Sequence, residues 1–296
     1  VASPSDLAGK RVLVTGSSGF TGRYVMQAFA EQGAIVVPFG TGDGRSVDLL
    51  NRGRVQSAVA AAQADIVVHL AAISFVAHGD AEEIYRVNIV GTRNLLEALA
   101  QQDLRPAHVV LASSANVYGN TEGMLEESLP AAPVNDYAVS KYAMELMARQ
   151  FANSLPLTIV RPFNYTGVGQ VDRFLIPKIV GHFKRREPRL ELGNLEVSRD
   201  FNDVRNVAGC YIRLATLPGQ GEVFNVCSGI ENTLMDVVEM MHEISGYHPE
   251  IVVNPAFVRT NEVRTLVGNP GKLRSAIGPV EQWTLRETLR WMYEKA

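Results

Sequence analysis

At 296 residues, with 46% hydrophobic and 20% charged side chains and 25 glycines, the chain can bury a sizeable core and is neither disordered nor fibrous in composition. A formal net charge of -3 gives no field to attract nucleic acid or an anionic membrane, so small molecules are the expected partners. Cys210, expected in a helix, and Cys227, expected in a strand, sit outside any CxxC pattern, and the six histidines lack metal-ligand spacing, so no metal site is expected. The absence of a cationic-then-apolar leader and of a long apolar run points to a cytoplasmic protein without a membrane span.

After a loose stretch at 1–10, a short β-rich run at 11–14 leads into Thr15-Gly16-Ser17-Ser18-Gly19-Phe20-Thr21-Gly22 and a helix to about residue 32. Strand, glycine turn and helix in this order let a pyrophosphate approach main-chain N–H groups, so Gly16, Ser18, Gly19, Phe20 and Gly22 are candidate cofactor contacts. The strand expected at 34–39 ends in Phe39-Gly40-Thr41-Gly42 without the acidic residue that would hold an adenine-ribose 2′-hydroxyl. Asp43 is a shifted candidate for that role, and Thr41 and Arg45 could meet a 2′-phosphate. A solvated loop accounts for the three equally well. Either NADPH or NADH is compatible, and the missing acid tips the choice towards NADP(H).

Asp48, with Leu49 beside it, is a candidate adenine contact, and a helix is expected at 51–62. The run 66–70 is continuously apolar apart from His69, as in a strand buried on both faces, and His69 reads as a satisfied core histidine. Leu70, Ala71 and Ala72 at its end offer room for a cofactor. A long helix is expected at 81–101, with Asn88 on an inward face where it needs polar partners and could orient a loop or a lysine through water. The strand at 108–112 ends in Ser113-Ser114-Ala115-Asn116-Val117-Tyr118-Gly119, where a serine hydroxyl can meet a ligand, because open α/β sheets bind ligands beyond such ends.

In the helix at 137–151, Tyr137 and Lys141 lie one turn apart, so phenol and ammonium share a face and the cation is expected to lower the phenol pKa. The strand at 157–160 then leads into Arg161-Pro162-Phe163-Asn164. Alternating strands and helices predict a Rossmann-type doubly wound parallel sheet at 1–164. A smaller α+β region is expected at 165–296, with the chain crossing between the two. Its elements are helices at 173–185, 205–216, 234–244 and 285–293 and strands at 190–192, 223–226 and 250–253. Lys178, Arg199 and Arg259, in or beside turns, suggest a second phosphorylated ligand.

Taken together, the glycine motif, His69-Leu70-Ala71-Ala72, Asn88 before Gly91-Thr92, Ser113-Ser114 before Val117-Tyr118-Gly119, Tyr137 with Lys141, and Arg161-Pro162-Phe163-Asn164 resemble the extended short-chain dehydrogenase/reductase superfamily over nearly the whole chain. The resemblance implies Ser114, Tyr137 and Lys141 as catalytic residues and adds Asn88 and Pro162 to the cofactor site. A 4,6-dehydratase of this superfamily needs a carboxylate just after the hydroxyl, where this chain has Ala115 and Asn116, so elimination is not expected.

The segments 193–204 and 224–229 look like the GDP-4-keto-6-deoxy-D-mannose reductases, which form GDP-D-rhamnose by hydride transfer to C4. Arg259-Thr260-Asn261-Glu262-Val263 resembles the Arg-Pro-Gly-Asp-Val element that holds substrate diphosphate and ribose, departing from it at Thr260 and Asn261. By this resemblance Asn164 and Arg259 would position the diphosphate, Arg199 and the Asn194 loop with Leu195 the guanine end, and Glu262 a ribose; Lys178 is a further candidate substrate contact from its charge. The substrate would be a GDP-linked 4-keto-6-deoxy sugar. Three alternatives remain open: a reductase giving GDP-6-deoxy-D-talose, an NAD-retaining 4-epimerase, and a non-catalytic dinucleotide sensor. The resemblance also implies a homodimer through the helices at 81–101 and 137–151.

Overall fold

Continuous apolar runs cannot face water on either side, and here they form the middle of one sheet. The computed structural model describes residues 7–40, 47–74, 79–258, 263–280 and 282–295. In it β1 (Arg11–Thr15), β2 (Ile35–Pro38), β3 (Ile66–His69), β4 (His108–Ala112) and β5 (Leu157–Pro162) run parallel. A sixth parallel strand from the second half of the chain, Glu222–Val226, pairs with β5 at the edge. With β2 on one side of β1 and β3 on the other, the strand order reverses between β1 and β3 and opens a crevice at their C-terminal ends.

Alternation along the strands divides the core in two, as the period of two requires. Val12 and Val14 face α1 (Phe20–Glu31) and a later helix at Val204–Ala215, while Leu13 faces the opposite layer. That layer comprises α2 (Arg52–Ala62), the helical stretch 81–100 and α5 (Asp136–Ala148). The stretch expected as one helix is α3 (Ala81–Tyr85), a π-helical turn at Arg86–Gly91 and α4 (Thr92–Ala100).

Beyond residue 164 the chain first forms β6 (Asn164–Thr166), α6 (Leu175–Arg185), β7 (Arg189–Leu192) and β8 (Ser198–Asp203). It then returns to the large sheet through α7 (Val204–Ala215) and β9 (Glu222–Val226), so the dinucleotide layer is completed by residues well past 165. The smaller region resumes with β10 (Glu231–Thr233), α8 (Leu234–Ser245), β11 (Glu250–Val253), β12 (Thr265–Leu266), α9 (Gly271–Ile277) and α10 (Leu285–Lys295). There β8 is flanked by β6, β10 and β12, β11 pairs with β7, and α6, α8 and α10 share an apolar core. Cys210 is buried on α7 and Cys227 is buried one residue past β9 rather than within it; both are free thiols. Among the described residues no helix is long and apolar enough to cross a membrane.

Where α5 packs on the sheet, Glu145 and Arg161 form a two-pronged ion pair (2.9 and 2.7 Å) with side chains 0% and 4% exposed. Removing one partner of such a pair strands a buried charge, at a cost of about 3–5 kcal/mol. Arg161→Met is therefore expected to unfold at a markedly lower urea concentration than the parent, with an unchanged slope, in equilibrium denaturation.

Candidate active site

The crevice is lined first by the glycine turn. Gly16 has φ +67°, and a Cβ there would lie 2.9 Å from the Ala71 nitrogen; a Cβ on Gly22 would lie 2.1 Å from the Gly16 carbonyl oxygen. Neither position admits a side chain. Gly19 precedes α1 without a side-chain cap, and the first turn of α1 carries no acid, so its N–H groups and helix dipole are left to an anion. Ser18 is exposed beside the turn, and Phe20 opens α1 with its ring stacked on Tyr165 at 6.2 Å. Thr15 Oγ1 accepts the Leu70 and Ala71 N–H groups at 3.1 Å each and meets His69 Nδ1 at 2.7 Å, which pins the end of β3 against Gly16. This bare, tightly built cradle fits a dinucleotide pyrophosphate.

His69 also meets Thr92 Oγ1 at 2.8 Å, and burial together with nearby Lys141 pushes its pKa down to about 3. It is a neutral core residue, as expected. Leu49 is buried in the apolar layer with α2 and α4, its carbonyl accepting a 2.9 Å bond from Asn94. Asp48 is exposed, and one of its oxygens accepts the Leu50 N–H. Thr41, Asp43 and Arg45 lie outside the described residues.

Ser114 follows β4, and Tyr137 and Lys141 lie on the first two turns of α5; all three are buried. Asn135 caps α5 by accepting the Ala138 N–H at 2.9 Å. Burial pushes the Tyr137 pKa up to about 12, the Ser114 hydroxyl facing the phenol pulls it down, and Tyr165 pushes it further up. Lys141 lies one turn further along α5 and is buried as well. Its ammonium donates to the Ala112 carbonyl at 2.7 Å, and burial lowers its pKa to about 8 while Glu145 pulls it upward. The expected lowering of the Tyr137 pKa by Lys141 is thus replaced by a desolvated phenol that stays protonated at neutral pH.

Asn88 orients the loop after β3, one of the two roles expected of it. Its side chain accepts the Ile73 N–H at 2.9 Å, and its amide donates to the Ile73 carbonyl and to Ser140 Oγ. Ser140 in turn donates to the Tyr137 carbonyl at 2.7 Å, so Asn88 braces the loop after β3 against the first turn of α5.

Behind the site, Ser113 donates to Glu145 at 2.5 Å, Arg161 donates to the Tyr118 hydroxyl at 2.9 Å, and Tyr118 donates to Asn225 at 2.8 Å. Burial opposes the Arg161 charge, but Glu145 and Tyr118 raise its pKa overall. Thr15, Glu145, Tyr118 and Tyr165 were not singled out from the sequence. The available signal for Glu145 was its place one turn past Lys141, on the same face.

The candidate substrate residues are more dispersed. Asn164 is exposed at the start of β6, next to buried Pro162 and Phe163. Lys178 donates to the Glu191 carbonyl at 3.0 Å and stands over the Phe257 ring at 4.0 Å. Asn194 caps its own loop by accepting the Glu196 N–H, and Leu195 packs on the core of the smaller region. Arg199 donates to the Ser198 and Arg264 carbonyls, holding β8 to the chain before β12. Arg259 and Glu262, with Thr260 and Asn261, lie outside the described residues.

Residues 12–227 match the NAD dependent epimerase/dehydratase family. The chain belongs to that family. This family member is an NAD(P)-dependent oxidoreductase of the extended short-chain type. It is 36% identical to GDP-6-deoxy-D-talose 4-dehydrogenase of Aggregatibacter actinomycetemcomitans over 286 residues, covering 96% of this chain and 97% of that one. It is 33% identical to GDP-6-deoxy-D-mannose reductase of Pseudomonas aeruginosa over 297 residues, covering 95% of each. The solved structure of RMD from Pseudomonas aeruginosa complexed with NADPH superimposes with a TM-score of 0.87 at 31% identity, over 97% of each chain.

The contact between Gly22 and Gly16 yields a direct test. Gly22→Ala is expected to lower NAD(P)H affinity at least about tenfold, measured by quenching of intrinsic fluorescence. The far-ultraviolet circular dichroism should stay close to that of the parent.

Proposed function

We propose that this enzyme is an NAD(P)H-dependent reductase acting on C4 of a GDP-linked 4-keto-6-deoxy sugar. The observation that carries the reading is the composition of the site. Two hydroxyl donors, Ser114 and a protonated Tyr137, converge at the end of β4, and the Glu145 carboxylate behind them is already committed elsewhere. Glu145 is fully buried and committed to Ser113 and Arg161, while Ala115 and Asn116 occupy the positions after Ser114. Such a site can donate to a ketone oxygen but lacks the base that eliminating water would require.

When bound, a nicotinamide cofactor would supply the hydride. Gly16, Gly19 and Gly22, with Ala71, would hold its pyrophosphate, and the Lys141 ammonium would hold the ribose next to the nicotinamide. Ser114 hydrogen-bonds the sugar oxygen, and Tyr137 gives that oxygen its phenolic proton as negative charge develops. A phenol held in the protonated form suits this direction, because an alkoxide is a much stronger base than a phenolate. Asn164, Lys178, Asn194, Leu195, Arg199, Arg259 and Glu262 are assigned to the nucleotide side on resemblance.

The segment 193–204 favours a GDP-D-rhamnose product. The second reading, GDP-6-deoxy-D-talose, is favoured by the 36% identity to the talose 4-dehydrogenase against 33% to the mannose reductase. The two differ only in the face of the ketone that receives hydride. Incubating the protein with GDP-4-keto-6-deoxy-D-mannose and NADPH or NADH should consume one cofactor per sugar, and NMR of the product gives the C4 configuration. Absence of turnover, or a tightly retained NAD+ with no net consumption, would replace the reductase by a sensor or an epimerase.

Tyr137→Phe is expected to lower kcat by about 10²–10⁴-fold while cofactor affinity, read by fluorescence quenching, is retained. The Lys141 ammonium, with its pKa lowered to about 8, is present below that pH and lost above it. Turnover should therefore decline as pH rises through about 8. In Lys141→Met it should be low throughout, without that inflection.

A further inference from the structure

We propose that Asn116 is a positioning residue that makes Ser114 an obligatory hydrogen-bond donor towards the carbonyl oxygen of the sugar. A serine hydroxyl has one proton to give and two lone pairs with which to accept. At Ser114 both lone pairs are taken by the same residue: the Asn116 backbone N–H reaches Oγ at 3.2 Å and the Asn116 side-chain amide at 3.1 Å. The first bond comes with the fold, because Ser114, extended at φ -160° and ψ 147°, caps the tight turn Ala115–Tyr118. The second belongs to the Asn116 side chain alone.

With both lone pairs filled, the hydroxyl has only its proton left to offer, and the group it faces is the Tyr137 phenol. The preceding serine cannot substitute, because the Ser113 proton is given to Glu145. A carboxylate at position 116 would itself take the Ser114 proton and turn the hydroxyl away from the ligand. An apolar side chain there would leave one lone pair open and the hydroxyl free to rotate. The donor polarity of Ser114 therefore depends on having an amide, rather than an acid, two residues later. The sugar ketone as recipient rests on the reductase reading; the polarity of Ser114 does not.

Two coupled measurements test this. In the reductase assay, Asn116→Asp should lower kcat about 100-fold, the scale of losing one donor to a developing oxyanion, with the KM values for sugar and cofactor within about twofold of the parent. In a Ser114→Ala background the same substitution should cost less than about threefold, because the group through which it acts is gone. Asn116→Leu, which removes the amide without adding charge, should lower kcat about tenfold, again only when Ser114 is present, and serves if the Asp variant folds poorly. Equal losses with and without Ser114, or a kcat within twofold of the parent in Asn116→Asp, would overturn the proposal.

The second measurement needs no substrate. The ionisation of Tyr137 is followed by ultraviolet difference titration against Tyr137→Phe, with Tyr165, Lys141 and the introduced carboxylate as the neighbouring ionisable groups. Asn116→Asp should raise the phenol pKa more when Ser114 is present than in Ser114→Ala, since it both adds a charge and withdraws a hydrogen bond. An equal rise in the two backgrounds would mean that only the field of the new charge is at work, and would overturn the proposal. If the parent fails to reduce the 4-keto sugar, the reductase reading falls and this titration still decides the role of Asn116.

Discussion

The buried pair between Glu145 and Arg161 holds the site together. It joins the helix that carries Tyr137 and Lys141 to the fifth strand of the sheet, and each partner reaches further. Glu145 receives the Ser113 hydroxyl at the end of the fourth strand, and Arg161 reaches Tyr118 and through it Asn225 on the edge strand. Two charges removed from water are costly unless every lone pair and proton is matched. Here the two-pronged geometry and the flanking hydroxyls supply that match. The pair also commits the Glu145 carboxylate behind the candidate catalytic residues, so a feature that fixes geometry simultaneously limits the available chemistry.

A second set of contacts ties the smaller region to the cofactor helix. Thr21 meets the Tyr165 hydroxyl at 2.7 Å, Tyr24 donates to the Val168 carbonyl at 2.7 Å, and Arg23 reaches the Gly169 carbonyl. The strap at 165–169 thus rests on the first turns of the helix whose N-terminus forms the phosphate cradle. Tyr165 also stacks on Phe20, so the same short segment meets the opening residues of that helix twice.

The central sheet was legible because its strands are apolar on both faces and lie between clear helical periods. The smaller region was less so, and β8 shows why. Its sequence, Ser198-Arg199-Asp200-Phe201-Asn202-Asp203, reads as a polar loop, yet most of it is buried. Asp200 accepts the Ser228 and Gly229 N–H groups and the Ser228 hydroxyl, and Asp203 holds Arg205 and Thr288. Hydrogen bonding rather than apolar patterning builds this strand, and hydropathy cannot register it. Likewise α9 begins with a glycine after Pro270 and looks like a turn. In the site, the spacing of Tyr137 and Lys141 puts them on one face of the helix, whereas the burial that raises the Tyr137 pKa depends on packing that spacing does not encode.

The π-helical turn at Arg86–Gly91 carries a consequence for how this chain can vary in length. Loops accept insertions and deletions, and regular helices generally tolerate them only near their ends. Here one surplus residue per turn lets Asn88 reach Ile73 and Ser140 while Thr92, four places later, reaches His69. Loss of a single residue between them would restore ordinary winding and close the widened turn from which these side chains make their contacts. The interior of this helix is therefore a place where the residue count itself, independent of which residues are present, is fixed by the site it supports.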